Sequence, residues 1–150
     1  MTTVRFHDAA FIPAGGLIYS VIAARLDGRW IFVRHHDRLT WEIAGGHIEN
    51  NESPDDTARR ELIEETGARE FSLNYVATYS VEKDGTTGYG RLFFAEVTKS
   101  GTLPENTEIA EIALMDNLPE NLTYPDIQPH LFRKVIEFLK PKGGITNLRD

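Results

Sequence analysis

The chain has no cysteine, which removes disulfides, thiolate nucleophiles and zinc–thiolate sites together. It also lacks an apolar run long enough to cross a bilayer, and Met1-Thr2-Thr3-Val4-Arg5 leads into none; the expectation is a cytoplasmic protein with no membrane partner. Positive charge is scarce: 16 Lys and Arg stand against 23 Asp and Glu, a formal net charge of −7. Tracks that follow a phosphate backbone need clustered Lys and Arg, so long nucleic acid is not the expected partner. There is no internal repeat, low-complexity tract or linker-like stretch. At 150 residues and 41% hydrophobic content, the chain can bury a core without staples, and the expectation is one domain over residues 1–150.

What is present is concentrated between Gly46 and Ala68. Gly46 is followed after five residues by Glu52, after seven more by Arg60-Glu61-Leu62, then Glu64-Glu65 and Gly67-Ala68. Seven fixed residue types at set spacing arise by accident on the order of once in a billion starting points. Ser53-Pro54-Asp55-Asp56 has the chemistry of a helix start. Ser53 can cap free N–H groups, Pro54 loses nothing at the first helical position, and both aspartates favour the positive end of the dipole. Gly67 tolerates the left-handed conformation that ends helices. The spacing therefore predicts a helix from Pro54 to Thr66.

At about 100° per residue, Glu61, Glu64 and Glu65 project from one side of that helix, beside a less polar stripe of Ala58, Leu62 and Thr66. Carboxylates on adjacent turns repel by a few tenths of a kcal/mol per pair, and a bound cation would relieve this. Hard oxygen donors suit Mg²⁺ or Mn²⁺. The alternative is a solvated acidic face with Arg60 paired to Glu64.

The pattern resembles the signature of the Nudix hydrolases, enzymes that cut a diphosphate linked to a nucleoside or similar group. The resemblance implies that Glu61, Glu64 and Glu65 hold the metal ions and that the Gly45 carbonyl completes the site. It further implies that Glu52 and Arg60 orient the helix, and that Glu61 is a candidate base. A further ligand is expected from the loop after a later strand, with Glu108 favoured over Glu111. Trp41-Glu42-Ile43-Ala44-Gly45-Gly46 resembles the family's lead-in to the signature, with Ala44 where proline is common. Arg34, His35, His36 and Arg38 lie where relatives place a basic residue against phosphates; Arg34, His36 and Glu42 are taken as substrate-binding candidates. Asn121 lies close to where the mutator-protein branch reads a purine, since an amide both donates and accepts; the alternative is a turn residue bonding to local backbone. His47 could approach phosphate or face solvent, and Tyr19 and Tyr124 could stack on a base or simply pack.

Strands are expected at Gly16–Ala24 and Trp30–Val33 with an Asp27-Gly28 hairpin, near Trp41–Ile43 before a glycine turn, and at Phe71–Val81, Tyr89–Thr98 and Ile109–Met115. Ile127, Leu131, Val135, Phe138 and Leu139 form a helical stripe. The resemblance implies the α/β (α+β) Nudix fold, a mixed sheet sandwiched between helices. The implied activity is Mg²⁺-dependent cleavage of a small nucleotide by a monomer or homodimer. A modified or ordinary nucleoside triphosphate such as 8-oxo-dGTP comes first, giving monophosphate and pyrophosphate. Nucleotide sugars, dinucleotide polyphosphates and a non-catalytic nucleotide sensor are the alternatives. The isoprenoid isomerases of the same fold need a cysteine that this chain lacks.

Overall fold

Two Asp-Gly dipeptides make the two tight hairpins of the sheet. Asp27 and Gly28 (φ 52° and 79°) and Asp84 and Gly85 (φ 53° and 80°) all lie in the left-handed region, as two-residue hairpin turns of the primed type require. The first joins β2 (Tyr19–Leu26) to β3 (Arg29–His35), and the second joins β5 (Ala68–Lys83) to β6 (Thr86–Ser100). The computed structural model describes residues 1–141. The remaining elements are β1 (Thr2–His7), β4 (Ala44–His47), α1 (Pro54–Thr66), β7 (Ile109–Met115) and α2 (Gln128–Leu139).

The sheet runs β1-β5-β6-β2-β3-β7, with β4 also on β2. Only β2 and β6 are parallel, in register from Tyr19↔Gly90 to Leu26↔Val97; the other pairs are antiparallel. The other edge of β2 is divided: Arg25 and Leu26 pair with β3, whereas Tyr19–Ile22 pair with β4. The sheet therefore forks, and β4 lies in the fork beside α1.

Along β6, Phe93 and Ala95 join Ile22, Ala58 and Leu62 beneath α1, while Leu92 and Phe94 join Phe32, Leu131 and Val135 beneath α2. Alternate residues of one buried strand thus feed two cores, which gives the expected α/β/α layering. No helix among the described residues is long and apolar enough to cross a membrane.

Helix α1 has the expected limits. Ser53 Oγ accepts from Asp56 N–H at 3.0 Å and Asp56 Oδ2 accepts from Ser53 N–H at 3.1 Å, a reciprocal cap. Gly67 ends the helix at φ 76°. Buried Ser20 Oγ donates to the Pro54 carbonyl at 2.8 Å, tying β2 to the first turn.

Several expectations need correction. Trp41 and Glu42 make only isolated bridges, and Gly45-Gly46 form part of β4 instead of a turn. The glycines suit a strand because the space is taken on both sides: a Cβ on Gly45 would lie 2.6 Å from Val21 Cγ1. Strand β1 was not anticipated; its edge position leaves only an intermediate burial pattern, with no clean alternation to read. Strand β2 begins at Tyr19, three residues later than expected.

The caps make a stability prediction. Ser53→Ala should cost about 1 kcal/mol. Gly67→Ala should cost more, about 2 kcal/mol, because its Cβ would lie 2.6 Å from the Gly101 carbonyl as well as adopting positive φ. Urea unfolding checks the order, and a Gly67→Ala protein as stable as wild type would contradict it.

Candidate active site

The fork and α1 meet at two glycines. Gly45 N–H is not used by β2; it donates to Glu65 Oε1 at 3.0 Å. In an antiparallel strand a residue's N–H and C=O point to the same edge, so the Gly45 carbonyl also faces the helix side. At Gly46 the Glu61 carboxylate lies directly over the Cα, and any side chain there would overlap it. Glycine is what lets the carboxylate come so close.

This approach desolvates the acids. Glu65 is only 8% exposed. Burial pushes its pKa to about 8, against the Gly45 hydrogen bond, and the negative charges of Glu61, Glu42 and Glu108 push the same way. Burial likewise raises Glu61 to about 7; Arg60 opposes the shift, while Glu64 and Glu108 add to it. Glu64 is half-exposed. The three acids therefore run from interior to solvent around the helix and do not share one open face.

Arg60 is the hub of the outer half. Its Nε donates to Glu52 Oε2 at 2.6 Å and its Nη2 to Glu52 Oε1 at 3.0 Å. Its Nη1 reaches Glu61 Oε2 and Glu64 Oε1, both at 3.3 Å. Glu52 also accepts from Thr57 Oγ1 at 2.7 Å and from Glu49 N–H at 3.1 Å. Hydrogen bonds from Arg60 and Thr57 hold its carboxyl down to about 2. Glu52 is thus an ionised brace between the approach loop and the helix.

On the inner side, His35 Nε2 lies 3.3 Å from Glu42 Oε1 and 3.6 Å from Glu65 Oε2, and Arg38 Nη1 bonds Glu42 Oε2 at 2.8 Å. Of the basic residues after the second hairpin strand, His35 and Arg38 are the ones that line the large cavity. Arg34 turns to Glu111 at 3.3 Å and to the Arg38 carbonyl at 3.0 Å. Glu111 is thereby held by Arg34, whereas Glu108 is close enough to raise both Glu61 and Glu65. His36 faces a smaller cavity of about 300 Å³ that it shares with His35, Arg38 and Glu108. Asn121 Nδ2 donates to the Leu39 carbonyl at 3.1 Å, and its backbone carbonyl accepts from Trp41 N–H at 2.9 Å. That amide serves loop structure.

A cavity of about 570 Å³ begins at Glu42, Gly45 and Gly46 and runs between the β5–β6 hairpin and the start of α2. Tyr19, His47 and Tyr124 stand on its wall, Lys83, Thr86 and Thr87 come from the hairpin, and Gln128 and Leu131 come from α2. Tyr19 and His47 rings are 4.8 Å apart. A volume of this order suits a nucleotide-sized ligand.

The donor set fits a hard divalent cation. Two carboxyls with raised pKa beside a free backbone edge are groups whose charged forms such an ion would stabilise. As they stand, Arg60 holds Glu61 and Glu64, and among the described residues no three acidic or histidine side chains converge as a ready-made ligand set.

The NUDIX domain family matches residues 17–133. The candidate 8-oxo-dGTP diphosphatase YtkD of Bacillus subtilis is 34% identical over 118 residues, covering 79% of this chain and 73% of that protein. A 39-residue stretch is 51% identical to an RNA pyrophosphohydrolase of Bartonella henselae, covering 26% of this chain but only 22% of that protein. The crystal structure of the Bacillus subtilis pyrophosphohydrolase BsRppH (E68A mutant) superposes with a TM-score of 0.74 at 27% identity, covering 91% of this chain and 90% of that one. With the family match spanning most of its length, and with an acidic helix seated on a glycine strand, the chain belongs to the NUDIX family of hydrolases that act on phosphorus anhydrides.

Proposed function

We propose that the protein hydrolyses a nucleoside triphosphate, ordinary or oxidised, to the monophosphate and pyrophosphate, with Mg²⁺ or Mn²⁺ as cofactor. The carrying observation is the continuity between the 570 Å³ cavity and the Gly45-Gly46 strand on which Glu61 and Glu65 rest. A base and sugar in the cavity would bring the phosphate chain to the acidic helix. The name of the YtkD relative supports this substrate class.

Each residue has a definable task. Glu61, Glu64, Glu65, the Gly45 carbonyl and Glu108 would hold the ion, which supplies charge neutralisation to the phosphate oxygens. Glu61, the candidate base, would take a proton from the attacking water in its ionised form, which a bound cation favours. Arg60, braced by Glu52, sets the direction of Glu61 and Glu64. His35 and Arg38 hold Glu42 on the wall that would face the phosphates, and Arg38 brings positive charge to a chain of net charge −7.

A panel of nucleoside triphosphates, nucleotide sugars, dinucleotide polyphosphates and 5′-triphosphorylated or capped RNA tests the substrate. With Mg²⁺, free triphosphates should give monophosphate and pyrophosphate. Faster release from RNA ends at matched concentration would overturn the proposal, because the acidic surface offers no basic track.

Glu64→Gln separates catalysis from folding. Hydrolysis should fall by several kcal/mol in ΔΔG‡. The melting temperature without metal should hold or rise slightly, since an exposed pair with Arg60 contributes little and one repulsion is removed. Turnover within about twofold of wild type at saturating Mg²⁺ would remove this residue from the reaction.

A pH prediction follows from the buried acids. Glu61 and Glu65 have folded-state pKa values above the reference of 4.5. The stability tied to their protonated forms is complete below that value and is lost as pH rises through about 7 and about 8. The metal-free melting temperature should therefore decline across this window, and less so in Glu65→Gln. Mg²⁺ should raise it more at pH 8.5 than at pH 6. An equal Mg²⁺ increment at both would contradict the assignment.

A further inference from the structure

Arg25, Arg34, Arg38, Arg60 and Arg91 are the partly buried arginines among the described residues. All but the last are held by carboxylates: Arg25 by Glu96 at 2.7 Å, Arg34 by Glu111 at 3.3 Å, Arg38 by Glu42 at 2.8 Å and Arg60 by Glu52 at 2.6 Å. Arg91 has no such partner among the described residues, although acids outnumber bases by 23 to 16 in the chain. Its Nε is, among those residues, the one buried side-chain nitrogen or oxygen without a hydrogen-bond partner. An N–H on a charged group kept from water is costly until an acceptor meets it, and such groups in native proteins call for an explanation. The residue as a whole is partly exposed, so its guanidinium can be approached from solvent.

Alternation along β6 places this group. Phe93 lies beneath α1 and Leu92 beneath α2, so Arg91 projects on the α1 side. Tyr79 and Leu131, which line the large cavity, belong to the α2 side. The cross-strand neighbours of Arg91 are Thr78 on β5 and Ser20 on β2, both fully buried. Its guanidinium carbon stands 5.2 Å from the centre of the Tyr75 ring. A ring face offsets part of the charge but offers no lone pair to N–H groups in the guanidinium plane. The Tyr75 and Thr78 hydroxyls are bonded to each other at 3.2 Å. One of their two hydrogens serves that bond, which leaves the other to donate. Ser20 Oγ, by contrast, is committed to the Pro54 carbonyl. Donors therefore outnumber acceptors around Arg91.

We propose that Arg91, with the hydroxyl pair of Tyr75 and Thr78, forms a binding site for a small oxyanion of the phosphate class, on the α1 side of the sheet and separate from the large cavity. The site does not depend on the nucleotide reading above. Guanidinium N–H groups lie in one plane and fork onto two oxygens of an anion. A planar carboxylate spends both its oxygens on that fork, whereas a tetrahedral phosphate keeps a further oxygen for the hydroxyl donor beside it. The chain carries a net charge of −7, which disfavours an anion at long range, so binding here relies on local donors instead of the field of the whole protein.

The Arg91 Nε–H resonance of isotope-labelled protein, identified by its loss in Arg91→Met, reports on the site directly. Inorganic phosphate is titrated at constant ionic strength with sodium chloride as the control, in chelator-treated buffer so that no cation draws phosphate to the acidic helix. The resonance should move saturably with phosphate and stay still with chloride. At about tenfold excess over Kd, phosphate should also raise the melting temperature by a few degrees. Arg91→Met loses no ion pair or hydrogen bond to protein, so it should fold and should lack the phosphate increment. Arg91→Lys keeps the charge without the fork and should bind phosphate at least about fivefold more weakly. AMP compared with inorganic phosphate separates the two sources of the anion: a resonance that moves at lower AMP concentration makes the ligand a nucleotide phosphate, and the reverse makes it free phosphate. Either order supports the site. A resonance that phosphate does not move, an equal response to chloride, or a phosphate increment that survives in Arg91→Met overturns it and leaves water as the group that Arg91 meets.

Discussion

How closely α1 can approach β4 governs the chemistry of the acidic helix. Glycine at 45 and 46 brings helix and strand together until Glu65 reaches a backbone N–H and Glu61 covers a Cα. The desolvation that results holds both carboxyls near neutrality. A helix further from the strand would leave these carboxyls better hydrated and lower their pKa values. The approach is possible only because β2 gives up its edge to β3 at Arg25 and Leu26 and to β4 at Tyr19–Ile22. The fork leaves the Gly45 N–H and carbonyl outside the sheet ladder, where they serve the site.

Two kinds of positioning meet there. Arg60, Glu52 and Thr57 form a partly buried, charged brace that fixes the outer carboxylates. His35, Arg38 and Glu42 form the inner one, with His35 reaching Glu65. Glu61 sits between them and is the acid whose ionisation falls closest to neutral pH. The cavity leads away from both, so the proposed ligand pocket and the proposed cutting site come from different elements. The hairpin β5–β6 and α2 shape the former, and β4 with α1 the latter.

Local chemistry was legible in the sequence, and long-range assembly was not. The limits of α1 are written in Ser53, Pro54 and Gly67, and both hairpins in Asp-Gly pairs, because caps and primed turns depend on a few adjacent residues. The glycines before the helix misled for the same reason: a pair of glycines reads as a turn when the close neighbours, Val21 and Glu61, are distant in sequence. Helical projection put Glu61, Glu64 and Glu65 on one side but could not say that the neighbour would be β4, so the burial of Glu65, which separates it from the exposed Glu64, stayed hidden. Arg34 and Asn121 had the right chemistry for ligands, yet they bond to Glu111 and Leu39. Gln128 carried no signal beyond its residue type, since its bond to Ile43 and the cavity wall it joins come from segments distant in sequence.

The order of strands in the sheet has a further consequence, for how the chain acquires its structure. Strand β1 pairs with β5 from Thr2↔Lys83 to His7↔Thr78, and β2 pairs with β6 beginning at Tyr19↔Gly90. During synthesis from the N-terminus, neither β1 nor the parallel edge of β2 has its native neighbour until the β5–β6 hairpin has emerged. The Asp84-Gly85 turn forms locally and fast, whereas the pairings it completes close loops of some seventy residues and are slow. That hairpin supplies the neighbour both strands need. Until it docks, the edge of β2 that carries Val21, Ile22 and Ala23 is open to pairing with other chains.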